Sequence, residues 1–306
     1  MVFSEDRKRA LVTGGAGFIG SNLVDALIEK GYEVSIIDNL STGKGENINP
    51  RATFNKLDIR NLEAIKPIFK NIDYVFHTAA LARVQPSIED PVTFNEVNVT
   101  GTINVLVASR DAGVKKVIYS ASSSAYGNQK ELPLKEDMPS HPLSPYGLQK
   151  YIGEEYCKLF STLYNLPAVC LRYFNVYGER QPLQGAYCLV LGVFLNQRLK
   201  GESLTITGDG ENRRDYTSVI DVVRANILGA ESEVSNGRVI NIGRGQSYSV
   251  NEVAKMIGGP VAHIAPRVEP KETLADNTLA RTILHWEPSV NLPEWIAKRK
   301  KELGLQ

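Results

Sequence analysis

Three observations predict an α/β chain built on a doubly wound parallel sheet, with a smaller α/β substrate-binding domain towards the C-terminal end. Short apolar strands alternate with helical runs through the first half. A glycine-rich turn follows the first strand and opens the first helix. Asp38, Ala79 and Ser122 then fall at the carboxyl ends of strands, where open sheets of this kind bind their ligands. The expected division is residues 1–174 with a returning segment near 215–243 for the sheet domain, and 175–214 with 244–306 for the smaller one.

The first strand is Ala10-Leu11-Val12, and Thr13-Gly14-Gly15-Ala16-Gly17-Phe18-Ile19-Gly20 leads into a helical run from Ser21 to Lys30. Gly15-x-Gly17-x-x-Gly20 satisfies a dinucleotide fingerprint, and Gly14-x-x-Gly17-x-x-Gly20 a variant of it. Glycines there permit a tight turn and bring backbone close to a pyrophosphate that faces the helix N-terminus. A second strand, Val34 to Ile37, ends in Asp38, an acid suited to ribose hydroxyls that favours NAD over NADP. Asn39-Leu40-Ser41-Thr42-Gly43 forms a polar loop able to close over the adenosine half. A third strand near Thr53 to Leu57 leads to Asp58-Ile59-Arg60. Asp58 is read either as an acceptor for the adenine amino group or as a helix N-cap.

The fourth strand, Tyr74 to His77, runs into Thr78-Ala79-Ala80, whose small side chains let backbone lie against a ligand. His77, closing a buried strand, is read as structural. A helix is expected over Asn95 to Ala112, with Asn98 on the face beneath the site. The fifth strand, Val117 to Tyr119, delivers the hydroxyl cluster Ser120-Ala121-Ser122-Ser123-Ser124. Further on, Ser144 is placed to cap a helix whose first residue is Pro145. Tyr146 and Lys150 then stand one turn apart on one face. A phenol with a reference pKa near ~10 needs roughly 4 kcal/mol of differential stabilisation to act as a base at neutral pH. A fixed ammonium and a cationic cofactor ring supply that kind of stabilisation.

Composition narrows the partners. The formal charge is +1, from 35 basic and 34 acidic residues, so no polyanion is expected and nucleic-acid binding is disfavoured. With 42% apolar residues the chain reads as globular. Cys157, Cys170 and Cys188 lie in apolar surroundings without metal-ligand spacing, which points to buried reduced thiols in a reducing cytoplasm and to no metal site. Neither a signal-peptide core nor an 18-residue apolar span is seen, so secretion and membrane insertion are not expected.

Taken together, Thr13 to Gly20, Asp38-Asn39, Asp58, His77 to Ala80, Asn98, the Ser122 cluster, Tyr146-x-x-x-Lys150 and Arg172-Tyr173-Phe174-Asn175-Val176-Tyr177-Gly178 resemble the extended short-chain dehydrogenase/reductase family that acts on nucleotide sugars. The resemblance covers nearly the whole chain and implies a Rossmann domain holding NAD. The implied cofactor contacts run from Gly14, Gly17, Phe18, Ile19 and Gly20 through Asp38, Asn39, Ser41, Thr42 and Gly43. They continue with Asp58, Ile59, Thr78, Ala79, Ala80, Asn98 and Ser120, then Tyr146, Lys150, Tyr173 and Val176. Tyr146 is implied as the acid–base, Lys150 as the holder of the nicotinamide ribose, and Ser122 as the bond to the reacting sugar oxygen. Dehydratases of the family carry an acidic pair after that hydroxyl residue, and decarboxylases a Glu at the position of Ser124. Ser123 and Ser124 here leave redox at one carbon and its reversal.

On the substrate side the resemblance implies Arg83, Ser122, Ser123, Ser124, Tyr146, Asn175, Ala186, Tyr187, Arg214, Arg267 and Thr273. Arg214 and Arg267 would grip the diphosphate, a task that suits a bidentate guanidinium. Arg267-Val268-Glu269-Pro270 departs from the family's Arg-x-Gly-Asp, which leaves the ribose contact open. Thr273 aligns with a gate that is bulky in epimerases restricted to plain hexoses and small in those admitting N-acetyl groups. The expected activity is an NAD-dependent UDP-hexose 4-epimerase acting on UDP-glucose or UDP-N-acetylglucosamine. A UDP-glucuronate 4-epimerase, or an oxidoreductase releasing the keto sugar, is the alternative. A homodimer through helices near 98–112 and 146–164 is expected on the resemblance alone. Lys298-Arg299-Lys300-Lys301 reads as a solvated helix face.

Overall fold

The computed structural model describes residues 7–183, 188–234, 236–266 and 270–305. Its centre is a seven-stranded parallel sheet. The chain enters through β1 (Arg9–Thr13), α1 (Phe18–Glu29), β2 (Glu33–Ile37), β3 (Thr53–Asn55), α2 (Leu62–Ile65) and β4 (Tyr74–His77). Then come α3 (Val84–Glu89), α4 (Pro91–Asn95), α5 (Gly101–Asp111), β5 (Lys116–Ser122), α6 (Pro145–Tyr164) and β6 (Ala168–Tyr173). A smaller layer takes β7 (Val176–Tyr177), α7 (Val190–Lys200), β8 (Leu204–Thr207), β9 (Arg213–Asp215) and β10 (Thr217–Ser218). The chain returns to the sheet through α8 (Val219–Glu231) and β11 (Arg238–Ile242). It closes with β12 (Ser247–Ser249), α9 (Val250–Ile257), β13 (Val261–Ile264), β14 (Glu272–Thr273), α10 (Thr278–Leu284) and α11 (Leu292–Glu302).

The strand order is β11-β6-β5-β4-β1-β2-β3, every pair parallel, so the order reverses between β1 and β4. Loops leaving those two strands part there and open a crevice at their carboxyl ends. The strands are apolar on both faces because helices cover both. Leu23, Val24, Leu27, Val222 and Trp286 belong to one core, and Phe69, Val105, Leu106, Cys157 and Phe160 to the other. A third core around Phe194, Tyr216 and Trp295 belongs to the smaller layer.

Two expectations about the helices are revised. The helix predicted over 95–112 is one rod made of α4, a π-helical turn at Glu96–Thr100 and α5. The segment 244–306 does not lie wholly in the smaller layer. Ala280 and Leu284 of α10, with Trp286 after it, join the core beside α8 and β11, and the Trp286 indole N–H donates to the Asp221 carbonyl at 2.8 Å. Asp221 also accepts from Ser289 N, Ser289 Oγ and Val290 N, which ties the return to α8.

Candidate active site

The glycine turn is shaped by two demands that can be separated. A Cβ on Gly14 (φ +75°) would stand 2.7 Å from Ala79 N, and one on Gly20 2.2 Å from the Gly14 carbonyl oxygen. Those two glycines serve packing. A Cβ on Gly17 would meet only that same oxygen, at 3.2 Å, so it would project into open space over the turn. Gly17 is also the N-cap of α1, where no side chain caps the helix and no acid sits in the first turn. Phe18, Ile19 and Gly20 form that first turn. An open cradle over uncapped helix amides fits a pyrophosphate.

Asp38 ends β2 beside this turn, accepting from Ala16 N at 3.0 Å and from Leu40 N at 2.8 Å. The loop of Asn39, Ser41, Thr42 and Gly43 folds back onto the glycine turn, with Lys44 N bonded to the Ala16 carbonyl. Asn39 Nδ2 donates to Asp58 at 2.9 Å. Hydrogen bonds from Arg60 hold the Asp58 carboxyl down at about 2. The N-cap reading of Asp58 is overturned: Asn61 caps α2 instead, accepting from Ala64 N. Ile59 is buried under Gly101, where a Cβ would stand 2.6 Å from its Cδ1. With the Gly17 cradle and the Asp38 carboxylate at the strand end, these residues fit the pyrophosphate and ribose of a dinucleotide.

Across the crevice, Thr78 Oγ1 donates to the Thr13 carbonyl at 2.7 Å, and Ala79 N to Thr13 Oγ1 at 3.3 Å, which sets the half-buried backbone of Ala79 and Ala80 at the rim. His77 bridges Thr13 Oγ1 and Thr102 Oγ1 at 2.7 and 2.9 Å. Burial, helped by Lys150, lowers its pKa to about 3, so a neutral, structural histidine is what the fold holds.

Asn98 lies beneath the crevice, where its side chain is engaged within the chain. Its Oδ1 accepts from Leu81 N, and its Nδ2 donates to the Leu81 carbonyl and to Gln149 Oε1. The amide is therefore a clamp between the 78–83 loop and α6, in the middle of the π turn. A second clamp lies nearby, where Tyr146 N donates to Ser87 Oγ at 3.1 Å. Arg83 sits between the two clamps, held at φ +104° as the N-cap of α3.

Helix α6 begins as its residues predict: Ser144 Oγ accepts from Gly147 N at 3.1 Å and Pro145 occupies the first turn. Lys150, 4% exposed, extends its Nζ to the Ser120 carbonyl at 2.7 Å and lies 5.0 Å from the Tyr119 ring centre. Burial lowers its pKa to about 8, which still leaves an ammonium at neutral pH. The Ser120 hydroxyl pairs with Tyr173 OH at 3.1 Å, and that phenol donates on to Asn226. The Ser122 hydroxyl lies near the Tyr146 phenol and favours its ionised form. Burial raises the Tyr146 pKa, while the Ser122 hydroxyl and the Arg83 charge pull it down. Ser123 and Ser124 open the short turn after β5, with Ser124 N bonded to Ser122 Oγ.

Asn175 (φ +28°) donates from Nδ2 to the Asp215 carbonyl at 3.1 Å and to Thr273 Oγ1 at 3.4 Å. Thr273 stands in register with Arg214 across β14 and β9, and Arg214 Nη1 donates to the Arg213 carbonyl. Val176, in β7, is buried beside them. The structure thus brings Asn175, Arg214 and Thr273 together, while Ala186, Tyr187 and Arg267 lie outside the described residues. Of the thiols, Cys157 and Cys170 are buried as expected, whereas Cys188 is only half-buried. Among the described residues no cluster of metal-ligand type occurs.

Sequence reasoning missed several participants. Gln149 completes the Asn98 clamp. Glu154, one turn past Lys150, forms a buried two-point ion pair with Arg172 at 2.6 and 2.8 Å, and the guanidinium lies 4.4 Å from the Tyr126 ring centre. Glu154 shares the inward face of Tyr146 and Lys150 at helical spacing, a signal the sequence did carry.

A parallel sheet with a dinucleotide cradle, and a Ser–Tyr–Lys set at its carboxyl edge, defines a nucleotide-dependent enzyme of the short-chain dehydrogenase type. The family model described as the NAD dependent epimerase/dehydratase family matches residues 10–243, and the chain belongs to that family. A UDP-glucose 4-epimerase of Mycolicibacterium smegmatis is 39% identical over 305 residues, covering 95% of this chain and 96% of its own length. The UDP-glucose 4-epimerase of Thermotoga maritima, solved with UDP-glucose, superposes with a TM-score of 0.91 at 42% identity, covering 96% of this chain and 99% of that one. The UDP-N-acetylglucosamine 4-epimerase of Methanobrevibacter ruminantium, in complex with UDP-N-acetylmuramic acid, gives 0.92 at 39% identity, covering 97% and 98%.

Proposed function

We propose that this chain is an NAD-dependent 4-epimerase of UDP-hexoses, UDP-glucose and UDP-N-acetylglucosamine first among them. The observation that carries the reading is the Ser122–Tyr146–Lys150 set, with Ser122 and Lys150 buried and Tyr146 half-buried, followed by serines at 123 and 124, with no carboxylate where elimination or decarboxylation would need one. NAD, held by the glycine turn and Asp38, would supply the hydride acceptor and donor for C4. Tyr146 takes the proton of the C4 hydroxyl and gives it back, with Ser122 as its hydrogen-bond partner. Lys150, pinned to the Ser120 carbonyl one helical turn from Tyr146, is the holder of the nicotinamide ribose, and the phenolate is favoured by the Ser122 hydroxyl together with the Arg83 charge. The flat 4-keto sugar turns over about its anchored diphosphate, for which Arg214 and Arg267 are the grips. Asn175 and the small Thr273 border the sugar, and the size of Thr273 supports entry of an N-acetylated ring.

The enzyme works as a homodimer in the cytoplasm. Support for the dimer is an apolar surface on α3, α4 and α6, with Val92 68%, Leu163 64%, Ile88 51% and Leu159 50% exposed. Among the described residues no helix is long and apolar enough to cross a membrane.

Incubation with UDP-glucose, UDP-N-acetylglucosamine and UDP-glucuronate separately, scored by NMR for C4 epimers, tests the assignment. The expected result is interconversion of the first two without stoichiometric NADH. Accumulation of a free keto sugar with NADH would replace the epimerase by an oxidoreductase. Tyr146→Phe is expected to lose roughly a hundredfold or more of the activity while retaining NAD, and full turnover in that variant would remove Tyr146 from the mechanism.

A further inference from the structure

We propose that Asp215 is the positioning residue of the nucleotide-sugar site, holding Arg214, Asn175 and the Thr273 segment in fixed relation to one another. Its carboxylate is fully buried. One oxygen accepts from Arg244 N at 2.8 Å, and the other from Gly245 N at 2.8 Å and Ala275 N at 3.1 Å. Its own carbonyl accepts from Asn175 Nδ2 at 3.1 Å. These partners lie on different passages of the chain. The backbone moves between the large sheet and the smaller layer near 174–176, 215–217, 242–247 and 273–278, and Asp215 bonds to or belongs to each of the four.

The surroundings are built around this carboxylate. A Cβ on Gly243 would stand 2.3 Å from Ala275 Cβ and 3.1 Å from Asp215 Oδ2, so a glycine is what lets the passages close on it. Asn277 Nδ2 reinforces the knot, donating to the Gly243 and Arg244 carbonyls at 2.9 and 3.2 Å. Burial pushes the Asp215 pKa up to about 6, so the fold carries an ionised group there at a cost. Three backbone donors converging on two oxygens need an acceptor-only group. An amide would offer one oxygen and set an N–H against N–H. The residues fixed by the knot are the ones assigned to the sugar nucleotide, whereas the glycine turn, Asp38 and Lys150 lie away from it.

The inference rests on the UDP-sugar reading, and calorimetric binding of UDP by the wild-type protein controls for that reading: no UDP binding there removes the reading itself. With that control met, Asp215→Asn is expected to raise the UDP Kd and the KM for UDP-glucose by roughly tenfold or more, the scale of hydrogen bonds lost to buried groups. kcat and the amount of NAD co-purifying should stay near wild type. Asp215→Ser, in which water can bridge the freed N–H groups, serves as a second variant with the same readouts. Unchanged UDP affinity in a folded variant, or a fall in kcat without a rise in KM, overturns the proposal. Loss of NAD and of folding in both variants also overturns it, since Asp215 would then serve the whole fold.

Discussion

His77 shows how far single residues can be read. A histidine at the end of a buried strand has two ring nitrogens to satisfy, and threonines from β1 and α5 meet both. The pKa of about 3 lies below the unfolded value near ~6.5, so between those limits the unfolded chain binds one more proton than the folded one. The contribution of His77 to stability is therefore fully present above about pH 6.5 and is lost as pH falls towards 3, at up to about 1.4 kcal/mol per unit. Urea unfolding between pH 6.5 and 4.5 should show a shallower loss of stability in His77→Gln than in the wild type; identical slopes would mean that His77 carries no such load. Tyr146, Lys150 and Ser122 were legible in the sequence because their partners are local: a helix turn, and a cluster at a strand end. The clamp partners of Asn98, and the role of Asp215, were not, since Leu81 and Gln149, or Arg244 and Ala275, are brought near only by folding.

Among the elements, the β1–α1 turn shows what a motif can and cannot convey. Its glycine spacing pointed to a dinucleotide, yet the glycines do different work, and only their surroundings in the fold separate them. Gly20→Ala would drive a Cβ to 2.2 Å from the Gly14 carbonyl oxygen and 2.8 Å from Thr78 Oγ1, so α1 must shift off the sheet. A loss of about 1–3 kcal/mol is expected from such overpacking, seen as a lower melting temperature. Gly17→Ala meets only a 3.2 Å contact, but its methyl fills the cradle. That variant should melt near wild type in the NAD-free state and bind NAD at least roughly tenfold more weakly. If the two variants behave alike in both assays, the division of labour is wrong. The π turn at 96–100 had no counterpart in the sequence pattern. The apolar period continues through it, and what opens the extra residue is a site where Asn98 turns inward to Leu81.

For the molecule as a whole, the doubly wound sheet was readable because each strand and helix announces itself locally. The path of the last quarter was not, because Trp286 and Asp221 meet from distant positions. The proposed dimer is argued from the two faces of α6. With 3.6 residues per turn, Tyr146, Lys150, Glu154, Cys157 and Ser161 line the inward face, while Leu148, Ile152, Leu159 and Leu163 line the opposite one. Leu148, Leu159 and Leu163 are 47%, 50% and 64% exposed, beside Ile88 of α3 and Val92 of α4. An apolar stripe on the back of the catalytic helix is costly to leave in water, at ~25 cal/mol per Å², and a second copy presenting the same stripe would cover it in an isologous contact. Leu159→Glu combined with Leu163→Glu places four carboxylates in that contact. If the proposed dimer holds, sedimentation should show a dimeric wild type and a monomeric double variant, with activity falling as the support behind Tyr146 loosens. A wild-type chain that sediments as a monomer at micromolar concentration, or a double variant that remains dimeric, would place the interface elsewhere.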